Sequence, residues 1–184
     1  SMTCAICIRG KYSNTYQSDC IECPQGKFND FDGADNELDC ILCSKGRYSN
    51  TTNLVKSDDC QKCPVGKYNE NYGSVSINSC SLCISGKFNE KRGNNICIYC
   101  DTGFYSLMGR DKCEICPLGK YSLNEGLKKF TKCVNCPPGT YADFIGAIDK
   151  EKCIPCPKGS WNSKEGSMTR NDCILCLIGF YSGT

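Results

Sequence analysis

The residues of this sequence that could do chemistry are its cysteines, which number 20 in a chain of 184 residues. Every cysteine belongs to a Cys-x-x-Cys pair, and most pairs begin 20 residues after the one before, the others 16 or 17. A cysteine content this high is typical of a disulfide scaffold. The ten pairs are Cys4/Cys7, Cys20/Cys23, Cys40/Cys43, Cys60/Cys63, Cys80/Cys83, Cys97/Cys100, Cys113/Cys116, Cys133/Cys136, Cys153/Cys156 and Cys173/Cys176.

The same pairs could in principle hold zinc or act as redox centres. Two neighbouring pairs such as Cys20/Cys23 and Cys40/Cys43 have zinc-ribbon spacing. Zinc arrays, however, separate into modules of four ligands, often with His, whereas here no grouping of four is favoured and the sequence has no His. Thioredoxin-type catalysis uses one such motif at the start of a helix, not ten. We therefore interpret the cysteines as structural, with zinc as the main competing hypothesis.

Other functional classes lack the residues that they need. Without His there is no Ser–His or Cys–His pair for nucleophilic catalysis. The net charge is +2, and no polybasic block indicates binding to nucleic acid or to a membrane surface. No apolar run approaches the length of a membrane span. We expect no enzyme activity, no catalytic or metal site, no cofactor, no nucleic-acid partner and no membrane span in this stretch.

Each cysteine pair begins the same short sequence motif, which we call the phrase. The residue types in this motif predict the turns and strands that position the cysteines. A glycine follows the second cysteine by three residues and supplies a positive φ or a close backbone approach. An aromatic residue follows two positions later, where a short strand begins, and we expect its ring to cover a neighbouring disulfide. Self-similarity at this period indicates a tandem array. The glycines are Gly10, Gly26, Gly46, Gly66, Gly86, Gly103, Gly119, Gly139, Gly159 and Gly179; the aromatics are Tyr12, Phe28, Tyr48, Tyr68, Phe88, Tyr105, Tyr121, Tyr141, Trp161 and Tyr181.

Two further positions recur in part of the array. Proline follows the second cysteine in five repeats and sets a turn, because its ring restricts φ. A second glycine lies ten residues after the second cysteine in six repeats and suits a hairpin turn. The prolines are Pro24, Pro64, Pro117, Pro137 and Pro157; the second glycines are Gly33, Gly73, Gly93, Gly126, Gly146 and Gly166.

Charged residues offer two candidate ligand sites, each with a simpler explanation. The residue after the first glycine is basic in six repeats, which could form a stripe for acidic glycans, although a solvated strand face is our preferred interpretation. The stretch from Asp30 to Asp35, with Glu37 and Asp39 nearby, has the acidic composition of a calcium loop. Its register is wrong for an EF-hand, so we favour a solvated acidic loop. The six basic residues are Lys11, Lys27, Arg47, Lys67, Lys87 and Lys120.

The motif CPxGxY(S/N)xxxxG, followed by the next CxxC, resembles the ephrin-receptor-like cysteine-rich repeat. It is more distantly similar to the A-type module of tumour necrosis factor receptors. The fullest matches are Cys63-Pro64-Val65-Gly66-Lys67-Tyr68-Asn69 and Cys116-Pro117-Leu118-Gly119-Lys120-Tyr121-Ser122. The resemblance covers essentially the whole chain. Such repeats occur in extracellular receptor ectodomains and in long surface proteins of single-celled eukaryotes, so the resemblance implies a secreted or cell-surface location.

The sequence leaves the disulfide pairing open between two schemes. The resemblance to the A-type module implies that each second cysteine joins the first cysteine of the next pair, which leaves Cys4 and Cys176 for flanking repeats. The rival scheme crosses alternate pairs, such as Cys4–Cys20 with Cys7–Cys23, and would impose a two-repeat period that the spacings do not show. The pairs of the first scheme are Cys7–Cys20, Cys23–Cys40, Cys43–Cys60, Cys63–Cys80, Cys83–Cys97, Cys100–Cys113, Cys116–Cys133, Cys136–Cys153 and Cys156–Cys173.

We therefore expect one continuous array over residues 1–184, part of a longer one. The fold class is small disulfide-rich repeats in an elongated solenoid or rod of short β-hairpins and loops, with little or no helix. The predicted units are 4–19, 20–39, 40–59, 60–79, 80–96, 97–112, 113–132, 133–152, 153–172 and the incomplete 173–184.

The expected function is that of an extracellular structural or spacer protein in a fibre or cell-surface coat. The alternative is the stalk of an adhesion or receptor ectodomain whose binding head lies outside this stretch. The expected partners are the chain itself, by lateral or end-to-end association, or flanking repeats, with an extracellular protein or glycan ligand also open. Asn50, in the sequon Asn50-Thr51-Thr52, is the expected glycosylation site.

Overall fold

The computed structural model describes residues 4–15 and 17–182, and over these residues it contains no α-helix. Nine small antiparallel hairpins, each of two strands, follow one another along the chain, which confirms the predicted class of disulfide-rich hairpin repeats. We number them hairpins 1 to 9. Their strands are β1 (Lys11–Tyr12) with β2 (Ile21–Glu22), β3 (Lys27–Phe28) with β4 (Ile41–Leu42), β5 (Arg47–Tyr48) with β6 (Gln61–Lys62), β7 (Lys67–Tyr68) with β8 (Ser81–Leu82), β9 (Lys87–Phe88) with β10 (Ile98–Tyr99), β11 (Phe104–Tyr105) with β12 (Glu114–Ile115), β13 (Lys120–Tyr121) with β14 (Val134–Asn135), β15 (Thr140–Tyr141) with β16 (Ile154–Pro155), and β17 (Ser160–Trp161) with β18 (Ile174–Leu175).

Hairpin 2 shows how the repeated phrase folds. Pro24 starts a turn in which the Lys27 amide donates to the Pro24 carbonyl at 3.2 Å, and Gly26 has a φ of +76°. The strand then pairs Phe28 with Ile41, and the Cys43 amide donates to the Gly26 carbonyl at 2.8 Å. A two-stranded hairpin of this size is marginal by itself, so it must be held by covalent links and by its neighbours.

Among the residues that the structure describes, six of the nine hairpins also contain a 3₁₀ helix of three residues directly before the first cysteine of the next pair. These hairpins have disulfides that span 17 residues, whereas the disulfides of hairpins 1, 5 and 6 span 13 or 14. The shorter loops lack room for the extra turn. The helices are Glu37–Asp39, Ser57–Asp59, Ile77–Ser79, Phe130–Lys132, Lys150–Lys152 and Arg170–Asp172.

Nine disulfides close the nine hairpins. Each joins the second cysteine of one pair to the first cysteine of the next, the same partners as in the first of the two schemes. Cys4 and Cys176 are not disulfide-bonded. The bonded pairs are Cys7–Cys20, Cys23–Cys40, Cys43–Cys60, Cys63–Cys80, Cys83–Cys97, Cys100–Cys113, Cys116–Cys133, Cys136–Cys153 and Cys156–Cys173.

The chain forms two compact units. The first unit contains residues 1–83 and 89–97, and the second contains residues 84–88 and 98–184. The core of the first unit is a series of small clusters, each made of an aromatic ring and cysteines, such as Tyr48 with Cys63 and Cys80. The second unit has clusters of the same kind, such as Cys116 and Cys133 with Leu127. No helix in the described part of the chain is both long and apolar enough to cross a membrane.

Candidate functional site: the joints between hairpins

The recurring site of this protein is the joint, by which we mean the contacts of one hairpin with the next two. The first contacts between consecutive hairpins are backbone hydrogen bonds. The Gly46 amide of hairpin 3 donates to the Asn69 carbonyl of hairpin 4, and the Gly73 amide of hairpin 4 donates back to the Cys43 carbonyl of hairpin 3, both at 2.8 Å. The same pair of bonds recurs in the second unit, where Gly119 donates to Ala142 and Gly146 donates to Cys116, both at 3.0 Å.

Hairpins separated by one other hairpin meet at a pair of glycines. A Cβ placed on Gly26 would lie under 3.0 Å from the backbone carbonyl of Gly73, two hairpins further on. Only glycine permits this approach, and the positive φ of Gly26 independently disfavours a side chain. The second glycine therefore lies inside the long hairpin loop and serves the joint, instead of forming the tight hairpin turn that its spacing suited. The pairs in contact are Gly10–Asn53, Gly26–Gly73, Gly46–Gly93, Gly86–Gly126, Gly103–Gly146 and Gly119–Gly166.

Asn53 takes the place of the second glycine in hairpin 3, and sequence reasoning missed it. It is the one non-glycine residue with a positive φ, +60°, among the described residues. Its amide donates to the Cys23 carbonyl at 3.0 Å, as a glycine does elsewhere. Asparagine tolerates this left-handed conformation better than other side chains. Its position ten residues after Cys43 was the signal that could have identified it.

The aromatic residue packs on the disulfide of the following hairpin in five phrases, at Tyr12, Phe28, Tyr48, Tyr105 and Tyr121. Tyr12 of hairpin 1 is buried against Cys23 and Cys40, and Phe28 of hairpin 2 against Cys43 and Cys60. In the second unit Tyr121 packs against the Cys136–Cys153 cluster in the same way. The prediction that these rings cover neighbouring disulfides is confirmed at these positions. Each of these disulfides thus closes one hairpin and also supplies the surface on which the preceding hairpin rests.

A buried polar residue follows seven of the ten aromatics, and this component of the joint was also missed. Asn29 has no exposed surface; its amide nitrogen donates to the Lys11 carbonyl of hairpin 1 at 3.1 Å. Its side-chain oxygen accepts from the Phe31 amide at 3.1 Å, which fixes the start of the loop. The S/N alternation after the aromatic was the sequence signal. Buried polar residues at this position are Asn29, Ser49, Asn69, Asn89, Ser106, Ser122 and Asn162.

The six basic residues are half-buried on the first strands, and five of them have a partner. The best embedded is Arg47, which donates to the carbonyls of Ser57 and Cys60 at 3.1 Å and pairs with Asp58 at 3.2 Å. Their charges are therefore largely directed into the hairpin rather than toward a polyanion. The other contacts are Lys11–Glu22 at 4.0 Å, Lys27–Glu37 at 2.8 Å, Lys87 over the ring of Tyr99 at 4.1 Å, and Lys120–Asn135 at 2.6 Å.

The acidic stretch of hairpin 2 makes local protein contacts. Asp39 accepts from the amides of Asp35 and Asn36 at 2.9 and 3.3 Å. Asp32 accepts from the Arg9 amide at 3.0 Å. Within the described residues, no three His, Cys, Asp or Glu side chains converge as metal ligands. The cysteines that would have to bind zinc as thiolates are disulfide-bonded, apart from Cys4 and Cys176.

Two ionisable groups have shifted pKa values with identifiable causes. Asp172 caps the last 3₁₀ helix, and hydrogen bonds from the amides of Thr169 and Met168 lower the pKa of its carboxyl group. In hairpin 6, the Tyr105 hydroxyl donates to the Glu114 carboxylate at 2.6 Å. This hydrogen bond, followed by desolvation, raises the pKa of Tyr105 above its ordinary value. Both groups make contacts within their own hairpin.

Asn50, the expected glycosylation site, is exposed at the start of the loop of hairpin 3. Its carbonyl accepts from the Gln25 side chain at 2.9 Å, whereas Thr52 of the same sequon donates to Glu22 at 2.6 Å. The side-chain amide is therefore accessible, and its modification stays a prediction.

Comparison with known proteins identifies the repeat. The sequence profile described as tyrosine-protein kinase ephrin type A/B receptor-like matches residues 1–40, 35–80, 103–153 and 127–173. Each match covers two or almost three consecutive hairpins. The curated proteins contain no significant match to this chain. The four overlapping matches cover well over half of the sequence, and the chain therefore belongs to the ephrin type A/B receptor-like family of cysteine-rich repeats.

Proposed function

We propose that this protein is an extracellular structural spacer, a disulfide-linked repeat array that forms part of a fibre or cell-surface coat. The observation that carries this proposal is the joint itself, which recurs with the same residues in both units. Buried surface, backbone hydrogen bonds and covalent links all serve the connection of one hairpin to the next. In such an array each repeat contacts only its neighbours, so its length follows from the number of repeats.

An extracellular location is supported by the chemistry of the cysteines. Eighteen of the 20 are paired in disulfides, and bonds of this kind persist in oxidising compartments but are reduced in the cytosol. The small clusters of the core contain few aliphatic side chains. The reduced chain would therefore have too little apolar surface to fold.

The second candidate is a stalk of an adhesion or receptor ectodomain. The description of the family names a receptor, and repeats in a stalk would need the same joints. A stalk remains monomeric, whereas a fibre or coat protein associates with copies of itself.

Light scattering combined with negative-stain electron microscopy separates the two candidates. For the oxidised chain across a concentration series, the fibre proposal expects a mass that rises with concentration and assemblies visible on the grid. A constant monomeric mass at every concentration would contradict the fibre proposal and support the stalk. In a separate experiment, we expect the denatured, unreduced protein to contain two free thiols. A count of twenty free thiols would contradict the proposal of an extracellular disulfide scaffold.

A further inference from the structure

The disulfides in the middle of the array differ in how well the chain covers them. Hairpins 3 to 7 can be compared directly, because each has two hairpins on either side within the described residues. We call the later cysteine of each hairpin disulfide its closing cysteine. In hairpins 3, 4 and 7 the closing cysteines, Cys60, Cys80 and Cys133, are at most 4% exposed. In hairpins 5 and 6 the closing cysteines, Cys97 and Cys113, are partly exposed.

This difference follows from the length of the hairpin loop. The disulfides of hairpins 5 and 6 span 14 and 13 residues, and among the described residues no 3₁₀ helix precedes their closing cysteines. In hairpin 3 the helix Ser57–Asp59 lies directly before Cys60, whose amide donates to the Ser57 carbonyl at 3.2 Å. Phe28 and Leu54 complete the cover of Cys60. A short loop therefore leaves the closing cysteine open to solvent.

Exposure of a disulfide determines whether an external thiol can react with it. Thiol–disulfide exchange begins when a thiolate attacks one of the two sulfur atoms, so its rate depends on access to that sulfur. In each of the two short hairpins only one cysteine is accessible. Cys97 and Cys113 are partly exposed, whereas their partners Cys83 and Cys100 have no exposed surface. A thiolate from solution therefore attacks the closing cysteine and displaces its buried partner.

We propose that hairpins 5 and 6 contain two sites of thiol–disulfide exchange, at Cys97 and Cys113, and that the reacting ligand is a small thiol of the extracellular medium. The small thiolate forms a mixed disulfide with the closing cysteine as the bond between the two cysteines breaks, and the displaced thiolate takes a proton from water. A second small thiol then releases the closing cysteine and leaves as the small disulfide, so that two electrons pass to the protein. The proposal holds for a fibre and for a stalk alike.

The two sites affect the joints because they lie in consecutive hairpins. A joint reaches no further than the next hairpin but one, so a break in the series of joints requires two consecutive hairpins to open. When hairpins 5 and 6 both open, hairpin 4 loses its following joint partners and hairpin 7 loses its preceding ones. Two hydrogen bonds report this loss. The Gly66 amide donates to the Asn89 carbonyl at 2.8 Å, and the Gly126 amide donates to the Cys100 carbonyl at 2.7 Å.

Peptide mapping after a short pulse of reduced glutathione tests the two sites in the oxidised chain. The two free cysteines are blocked by alkylation beforehand, and thiols released during the pulse are labelled with a second alkylating reagent. We expect the disulfides of hairpins 5 and 6 to react roughly tenfold faster than those of hairpins 3, 4 and 7, because access to sulfur limits the attack. Glutathione should be recovered on Cys97 and Cys113, and the released thiols on Cys83 and Cys100.

A deletion of Ser57–Asp59 tests whether the absent helix is the cause of the exposure. It shortens the Cys43–Cys60 loop from 17 residues to 14, the length found in hairpin 5. We expect this disulfide then to react as fast as Cys83–Cys97. The matched control S57A keeps the helix at its full length and should leave the rate unchanged. If the deletion variant does not fold, the rates in the wild-type chain decide on the two sites by themselves.

Equal rates for the five disulfides of hairpins 3 to 7, or glutathione bound to Cys83 and Cys100 instead, would overturn the proposed sites. The effect on the joints is measured by hydrogen exchange after both disulfides have been reduced and alkylated. Exchange should accelerate at the Gly66 and Gly126 amides. The Gly26 amide, which donates to the Ser49 carbonyl between hairpins 2 and 3, should keep its rate. Unchanged exchange at Gly66 and Gly126 would show that the opened hairpins still support their neighbours, and the proposed effect on the joints would be wrong.

Discussion

At the scale of single residues, the joint depends on places where a side chain cannot fit. Gly26 and Gly139 occupy the same position of the phrase and have nearly the same φ, +76° and +79°. They differ in their surroundings. A Cβ on Gly26 would collide with the Gly73 backbone, whereas a Cβ on Gly139 would meet nothing within 4 Å. Alanine substitutions at these two positions therefore separate the free-energy cost of backbone strain from the cost of a steric clash between hairpins.

We expect G139A to destabilise the protein by about 1–2 kcal/mol, the penalty of a left-handed alanine. G26A should cost roughly 3 kcal/mol or more, because hairpin 4 must also move away. The midpoints of urea unfolding under oxidising conditions measure both values. Equal losses in the two variants would mean that the contact between hairpins 2 and 4 contributes nothing to stability.

The buried asparagine offers a second test at this scale. N29A leaves the Lys11 carbonyl without its 3.1 Å donor, and we expect a loss of about 1–3 kcal/mol in unfolding free energy. N29S should recover part of it, since serine occupies the same position in hairpins 3, 6 and 7. As the matched control, N71A changes an exposed asparagine and should stay within about 0.5 kcal/mol of wild type. A loss in N71A equal to that in N29A would contradict the role of burial.

At the scale of elements, the short 3₁₀ helices are stabilised by the carboxylate that ends some of them. Asp172 accepts from the Met168 and Thr169 amides at 2.9 and 3.0 Å, and Asp59 accepts from Val55 and Lys56 in the same geometry. Two backbone donors that the short turn cannot pair internally are satisfied in this way. The acceptor must be ionised to take both bonds well.

The lowered pKa of Asp172 in the folded protein gives a pH-dependent contribution to stability. This contribution is fully present above the pKa of the unfolded chain and is lost as the pH falls through the lower, folded value. We expect D172N to be less stable than wild type near neutral pH, with the difference disappearing in strong acid. A carboxyl NMR titration and urea midpoints at two pH values measure this effect.

D143N, at an exposed aspartate in the loop of hairpin 8, is the control and should show no difference from wild type at either pH. A carboxyl group of Asp172 that titrates at or above its ordinary pKa would contradict the capping role.

The elements of this fold were largely predictable because their constraints appear as residue types. Disulfides require cysteine, and the positive φ of the first turn favours glycine. The residues around Cys63 and Gly66 therefore predict both the turn and the strand that follows it. Asn53 was missed because asparagine is also common in ordinary loops. The joints themselves were not predictable, since the contact between Gly26 and Gly73 crosses from one hairpin to the next but one. Spacing along the sequence does not report such a contact.

At the scale of the whole molecule, stability should be a sum of local terms. The joints described above connect a hairpin only to its next two neighbours on either side, so cooperativity should decay along each unit. Removing one disulfide tests this directly. In the chain-entropy model a loop of 17 residues contributes about 3 kcal/mol, which is enough to open one hairpin but not the whole array.

We expect the double variant C23S/C40S to lose amide protection where that disulfide acts. Tyr12 packs on it, the Cys23 amide donates to Gly10, and the Asn53 amide donates to the Cys23 carbonyl. Hydrogen exchange should therefore accelerate across residues 10–54, whereas residues 89–97, which lie in hairpin 5 of the same unit and beyond the two neighbours that hairpin 2 contacts, should keep their wild-type rates. Mass spectrometry of the exchanged peptides resolves the two regions. Uniform acceleration across the first unit would show that it unfolds as a single cooperative body, in which case local joints would not be the basis of its stability.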